Sequence, residues 1–369
     1  MARAGLGSSW KCLFANDFDH KKCASYRANW GDDHLKAADI RTLSTLDLPG
    51  TAELAWGSFP CQDLSLAGSG AGLKGERSGT FYPFWDLMTG LIAEDRAPRI
   101  IALENVCGAL TSHDGKDFSS ICSTFDSAGY RYGALVMDAE LFLPHSRPRL
   151  FFIGVHESVP IPAAILQNGP QDPWHPRALR SAHARISEKV GREWIWWKLP
   201  LPKKRTVSLS ELIEETPTGA NWHSPSETAA LLRLMSSVNL AKLEAAKKLG
   251  RRIVGGIYKR TRRDETGLKA QRAEVRFDDV SGCLRTPAGG SSRQLLVVVE
   301  GKRVRSRLIT TRETARLMGL PDSYVLPKNY NEGYHLTGDG VVVPVVRHLA
   351  RYLLEPLLDQ MVRVPKIAA

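Results

Sequence analysis

The feature that most narrows the folds open to this chain is the rhythm of its first 155 or so residues, where short apolar runs alternate with stretches of helical period. The runs at 11–16 (KCLFAN), 53–56, 99–103 (RIIAL), 131–137 and 150–155 read as strands. Residues 20–30, 80–94 and 117–128 read as helices; the second of these sets Phe81, Phe84, Leu87, Met88, Leu91 and Ile92 at helical spacing. Such alternation predicts an α/β domain around a largely parallel, doubly wound sheet. Ligands of such sheets sit at the carboxyl ends of the strands. Asp17, Pro60-Cys61 and Glu104-Asn105 fall at those ends.

At residue 157 the texture changes. Five of the nine tryptophans lie between residues 157 and 290, among frequent prolines, and in 251–276 nine basic residues face three acidic ones. We read 1–156 as a catalytic and cofactor-binding domain and 157–290 as a smaller, irregular second domain. Residues 291–369 then return to the first, through a strand at 293–299 and helices at 311–318 and 344–358. A helical stretch is expected at 224–249, and the tryptophans of EWIWWKLP are expected in the core. With 369 residues, 43% hydrophobic and 24% charged, the chain has the material for two folded domains and is not a disordered one. The net charge of +11 suits a polyanionic partner. No apolar run reaches the ~18 residues of a membrane span, and residues 1–20 lack the apolar stretch of a secretory leader. The six cysteines form no CxxC pair, which argues against a zinc ribbon or redox dithiol and fits a reducing cytoplasm; no metal is expected.

The segment richest in chemistry is 57–68, GSFPCQDLSLAG. Proline fixes its own φ, so Cys61 follows a stiff residue at the mouth of a strand, where a thiolate is placed to act as a nucleophile. A buried structural cysteine is the simpler account of one such residue alone. Three further elements shift the balance: LENV at 103–106 supplies the Glu104 carboxylate, HSRPR at 145–149 supplies Arg147 and Arg149, and GERSG at 75–79 supplies a polar loop before a helix.

In that order and spacing the chain resembles the DNA (cytosine-5-)-methyltransferase family. The resemblance runs from about residue 10 to the C-terminus through ANDFD (15–19), ADIR (38–41), PCQ (60–62), ENV (104–106), the paired arginines 147 and 149, RETARLMGLP (312–321) and GDGVVVPVV (338–346). It implies a Rossmann-like S-adenosylmethionine-dependent methyltransferase fold with a target recognition domain. The activity implied is methyl transfer from S-adenosyl-L-methionine to C5 of a cytosine flipped out of double-stranded DNA. It implies that Cys61 adds to C6 and that Glu104 bonds N3. Arg149 would hold the cytosine O2 edge or the cysteine loop, and Arg147 would assist through phosphate or loop contacts. For the cofactor it implies Asp17 on the ribose, Phe18 stacked on adenine, Asp39 and Ile40 at the adenine edge, with Pro60, Phe81 and Asp339 at further pocket positions. A cognate restriction endonuclease and a prokaryotic or phage-like cytoplasmic setting on the nucleoid belong to the same reading. Residues 251–276 suit phosphate contacts, and 285–294 (RTPAGGSSRQ) a loop that follows DNA.

Three departures stand out. His145 occupies a place where the family usually has glutamine, and Asp339 one where it prefers asparagine. The family's opening strand and glycine-rich loop have only AGLG at 4–7 as a counterpart, ten residues before Asp17 instead of ~20. At proper spacing, residues 2–9 would lie in the first helix and its end, and the first strand and glycine loop would be missing. The rival readings are an RNA cytosine-5 methyltransferase, a DNA-binding protein of this fold impaired by N-terminal truncation, and a folate-dependent pyrimidine hydroxymethylase using the same thiol addition.

Overall fold

The computed structural model describes residues 1–59, 80–263, 267–285 and 293–363, with side chains of the last helix described up to residue 359. Pro60, Cys61 and the GERSG loop lie outside the described residues. The chain divides into two compact units of interleaved segments. One comprises Leu6–Asp138, Pro148–Leu201 and Val346–Ala369, the other Met1–Gly5, Ala139–Arg147 and Pro202–Val345. The change of texture at residue 157 is therefore not where the chain leaves the first unit.

In the first unit, strands β1 (Ala15–Asp17) and β2 (Leu35–Ala37) form a parallel pair. The Asn16 amide reinforces it by donating to Lys36 O and Ala38 O at 2.9 and 2.8 Å. Helix His20–Trp30 joins the two, capped by Asp19, whose carboxylate accepts from the Lys21 and Lys22 amides. A second sheet has the order β3-β4-β6-β5, from β3 (Leu54–Ser58), β4 (Ile100–Val106), β5 (Tyr130–Asp138) and β6 (Pro148–His156). β3 and β4 are parallel, as a crossover through helix Phe81–Ala93 requires. β6 is antiparallel to both its neighbours, so β3, β4 and β5 run one way, as a largely parallel sheet requires, and β6 alone runs the other. Only residues 139–147 separate β5 from β6, too few for a parallel crossover of a dozen residues or more.

β4 reads IIALENV because it is central: Ile100, Ile101, Ala102 and Leu103 are fully enclosed. Helix Lys116–Ser127 packs Ile121, Cys122 and Phe125 into the same core, and the Phe125 ring stacks on Tyr132 at 5.6 Å. Gly154 of β6 is needed there, because a Cβ would lie 2.2 Å from that ring. Short strands β7 (Leu166–Gln167) and β8 (Trp196–Trp197) pair antiparallel; Trp197 is fully buried, as expected of a core tryptophan, with Trp194 and Trp196 half-buried. Residues 4–6 belong to helix Ala2–Leu6, and Gly7 ends it at φ +84°. The Arg347 guanidinium takes the Leu6 carbonyl at 2.7 Å, so 4–7 is a helix end and not a loop behind a strand.

The second unit is built on an antiparallel sheet of order β10-β9-β11-β12: β9 (Arg252–Arg263), β10 (Lys269–Arg276), β11 (Leu295–Glu300) and β12 (Arg303–Leu308). The apolar run LLVVVE makes β11 central, and Leu231, Met235, Leu243 and Ala246 of helices Pro225–Arg233 and Ser237–Lys248 and their connection cover one face. The single helical stretch expected at 224–249 is thus two helices. The basic run 251–276 is the β9–β10 hairpin, whose Arg260 and Arg262 share the Glu274 carboxylate at 3.3 and 2.6 Å. Helix Thr311–Leu317 starts on a capping box between Thr310 and Glu313. After it, Gly319 at φ +75° lets the chain pass against Pro344, which a Cβ would approach to 2.4 Å.

Candidate active site

Glu104 and Arg149 are brought together by strand register. In the antiparallel β4–β6 pair, Glu104 faces Phe151 and Val106 faces Arg149, so Arg149 is the diagonal neighbour of Glu104. Arg149 Nε lies 3.1 Å from Glu104 Oε1, with side chains 14% and 8% exposed. The guanidinium also donates to Pro148 O at 2.9 Å, which limits its swing. The next residue, Asn105, is buried and donates through Nδ2 to Phe59 O at 3.2 Å. Phe59 immediately precedes the PCQ segment, so the ends of β3 and β4 are tied where PCQ begins. The result is a buried carboxylate whose orientation is fixed by a cation, at the carboxyl end of a central strand.

Three thiols of this unit are poor nucleophiles. Burial pushes Cys107 up to about 11, against the opposing pull of Arg149. Burial also raises Cys122 and Cys23. These stay protonated near neutrality and leave the thiolate role elsewhere.

Arg147 has a different environment, in the second unit. It is 2% exposed and donates to three backbone carbonyls: Leu284 O at 3.2 Å, Gly338 O at 2.7 Å and Gly340 O at 2.7 Å. What its geometry displays is a grip on three backbone carbonyls of its own unit. Asp339, at the end of helix Tyr330–Asp339, lies between two of the carbonyls it grips.

Of the residues expected at the cofactor, Asp17, Phe18, Asp39 and Ile40 lie at or just past the ends of β1 and β2. Asp17 closes β1, and one carboxylate oxygen accepts the Asp19 amide at 2.9 Å. Phe18 follows with 65% of its surface exposed, an aromatic face that the core does not use. Asp39 caps the 3-10 turn Ile40–Thr42; hydrogen bonds from the Arg41 side chain and amide hold its carboxyl below the usual range. An exposed ring at the end of β1, with Asp17 before it and Asp39 just past the end of the parallel β2, suits the adenine and ribose of a nucleoside cofactor. Phe81 is fully buried, with its ring 5.3 Å from Phe59, so it supports the site from behind. Among the described residues no group of three or more His, Cys, Asp or Glu side chains is arranged to hold a metal.

Two features were not singled out from the sequence. Glu313 forms a fully buried ion pair with Arg307, for which the only signal was the T-x-x-E of a capping box. The Tyr334 hydroxyl, buried and accepting the Gln294 amide at 2.9 Å, had no signal.

The profile of the C-5 cytosine-specific DNA methylase family matches residues 1–355, and the chain belongs to that family. Among curated relatives, Type II methyltransferase M1.ScrFI of Lactococcus lactis subsp. cremoris is 24% identical over 94% of this chain and 73% of its own length. Type II methyltransferase M.HpaII of Haemophilus parainfluenzae is 23% identical over 97% and 86%. Among solved structures, S. pombe Dnmt2 methyltransferase aligns with a TM-score of 0.56 at 17% identity, over 94% of this chain and 91% of that one. A putative DNA modification methyltransferase encoded within an E. coli prophage gives 0.55 at 15%, over 98% and 95%. These structural likenesses establish the fold. Among the described residues no helix is long and apolar enough to cross a membrane.

Proposed function

We propose that this chain methylates C5 of cytosine in double-stranded DNA, as the modification partner of a Type II restriction endonuclease in a prokaryotic or phage cytoplasm. The observation that carries the reading is the Glu104–Arg149 pair, 3.1 Å apart at the strand end where the PCQ segment begins. The Cys61 thiolate adds to C6 of a flipped cytosine, forming the S–C6 bond and moving the ring's electron pair toward C5. Glu104, in carrying a proton to N3, donates to that lone pair and offsets the negative charge that the addition places on the ring. Arg149 holds Glu104 in line and faces the O2 edge. S-adenosyl-L-methionine, when bound, supplies the methyl group that C5 takes up. Loss of the C5 proton then expels Cys61, and the C6–S pair returns to sulfur. Phe18 stacks on the adenine, Asp17 accepts the ribose hydroxyls, and Asp39 with Ile40 borders the adenine edge.

The test is labelled methyl transfer to unmethylated DNA, run beside tRNA and followed by nucleoside analysis. Label in 5-methylcytosine from DNA is expected, and label from tRNA alone would redirect the reading to an RNA substrate. Cys61→Ala should abolish transfer and keep DNA binding, because the thiol forms its bond only during reaction. DNA carrying 5-fluorocytosine should trap an adduct on Cys61; an adduct mapped elsewhere would refute the thiol assignment.

A further inference from the structure

Strands β1 and β2 pair over only three positions, Ala15↔Leu35, Asn16↔Lys36 and Asp17↔Ala37, so the backbone ladder alone gives their carboxyl ends little hold on each other. The Asn16 side chain adds two bonds at that end, from Nδ2 to Lys36 O at 2.9 Å and to Ala38 O at 2.8 Å. Both partners are carbonyls, which only accept, so the atom between them is the amide nitrogen and both of its N–H groups are used. Lys36 O also takes the Ala38 amide at 3.1 Å, which turns the chain out of the pair directly after β2. Ala38 O belongs to the peptide group that joins Ala38 to Asp39. One side chain, placed directly before Asp17, therefore fixes the peptide plane from which Asp39 starts. The rest of Asp39 is held locally. Its carbonyl accepts Thr42 Oγ1 at 2.8 Å and the Thr42 amide at 2.9 Å. Its carboxylate accepts Arg41 N at 2.9 Å, Nε at 3.0 Å and Nη2 at 2.6 Å. Asp39 and its turn thus move as one piece, and Asn16 ties that piece to the strand that carries Asp17 and leads into Phe18.

We propose that Asn16 is a positioning residue for the nucleoside half of the cofactor. It sets the separation of Asp17 from Asp39, and with it the gap between the ribose and adenine contacts, and it touches no cofactor atom itself. The proposal rests on the reading of Asp17, Phe18 and Asp39 as part of the S-adenosyl-L-methionine site. The requirement is for a donor at this place. Asn16→Asp keeps the shape but sets an oxygen against two carbonyls, so it should do more harm than Asn16→Ala, which leaves those carbonyls to water.

The experiment titrates the whole chain with S-adenosyl-L-homocysteine by calorimetry. It compares the parent with Asn16→Ala, Asn16→Asp, Asp39→Ala and the double variant Asn16→Ala, Asp39→Ala. Asn16→Ala is expected to raise Kd about tenfold, and Asn16→Asp further still. In the Asp39→Ala background the same alanine change should cost under about threefold, because Asn16 acts through Asp39. In steady-state methylation, KM for S-adenosyl-L-methionine should rise with Kd while kcat and KM for DNA stay within about threefold, a split that general destabilisation would not produce. Hydrogen exchange gives a readout without ligand: the Arg41 and Thr42 amides, which donate to Asp39, should exchange faster in Asn16→Ala, and unchanged exchange would refute the anchoring. A parent that binds no S-adenosyl-L-homocysteine would overturn the cofactor reading and this proposal with it. A parent that binds, with Kd unchanged in Asn16→Ala or with the full loss kept in the Asp39→Ala background, would overturn the proposal alone.

Discussion

Glu313→Gln removes one charge from a pair whose two side chains have no exposure at all. The carboxylate is saturated in the folded chain. It accepts from Arg307 Nη1 at 2.8 Å and Nη2 at 2.5 Å, from Thr310 N at 2.8 Å and from Glu214 N at 2.8 Å. A glutamine of the same shape replaces one accepting oxygen with a donating amide and leaves the guanidinium without a counter-charge. Removing one partner of a buried ion pair costs about 3–5 kcal/mol. At roughly 2–4 °C per kcal/mol for units of this size, the melting temperature should fall by about 6–20 °C. The double variant Arg307→Met, Glu313→Leu separates charge burial from simple loss of contact, because an apolar pair of similar volume removes both desolvated ions. It should recover most of the loss and retain a deficit of about 1–3 kcal/mol from the orphaned Thr310 and Glu214 amides. Urea unfolding and scanning calorimetry at neutral pH measure all three proteins. A single variant that loses under 1 kcal/mol, or a double variant no better than the single, would refute the argument.

Glu104→Gln should lower kcat about 10²–10⁴-fold with little change in KM for DNA, and Arg149→Lys should show a smaller loss because lysine keeps charge without the guanidinium fork; steady-state kinetics check both. Replacing Arg260, Arg262 and Arg263 by alanine should flatten the salt dependence of DNA binding by about one unit of slope per lost phosphate contact, and an unchanged slope would assign the hairpin tip to solvent. His175 is fully buried, and burial lowers its pKa from 6.5 to about 4. Between those values the unfolded imidazole binds a proton that the folded one refuses, so stability should fall as pH drops from about 6.5 toward 4. His175→Asn should flatten that slope in urea unfolding at pH 7 and pH 5.

The sequence marked most elements wherever local pattern and burial agree. Helices His20–Trp30 and Phe81–Ala93 and strand Ile100–Val106 lie where their periodicity puts them. The strand expected at 11–16 shrinks to Ala15–Asp17, because the start of the apolar run is neither paired nor buried: Leu13 is exposed. The direction of β6 was hidden because HSRPR drew attention as chemistry, while its more telling property was the shortness of the connection. In the site, Glu104 and Arg149 were legible as types, but their contact depends on a two-residue diagonal across a strand pair that no single stretch of sequence encodes. Arg147 looked equivalent to Arg149 at a spacing of two. One arginine stands at the start of a strand and the other in a connection that belongs to the second unit, and only tertiary structure separates them. Tyr334 was invisible because its hydroxyl serves a backbone amide forty residues upstream.

The interleaving of the two units has a consequence for the order in which the chain matures on the ribosome. Arg147 emerges early, yet its partners Gly338 and Gly340 follow 191 and 193 residues later, and the Leu317 carbonyl awaited by His145 follows after 172. At translation rates of about 5–20 residues per second, that is a wait of roughly 10–40 s. Throughout it, strands β3, β4, β5 and β6 can assemble, since all their residues precede position 157. The connection 139–147 between β5 and β6 must meanwhile remain solvated, its arginine bonded to water instead of protein. The second unit thus closes late, and only residues 346–369, the last segment of the first, follow it from the ribosome.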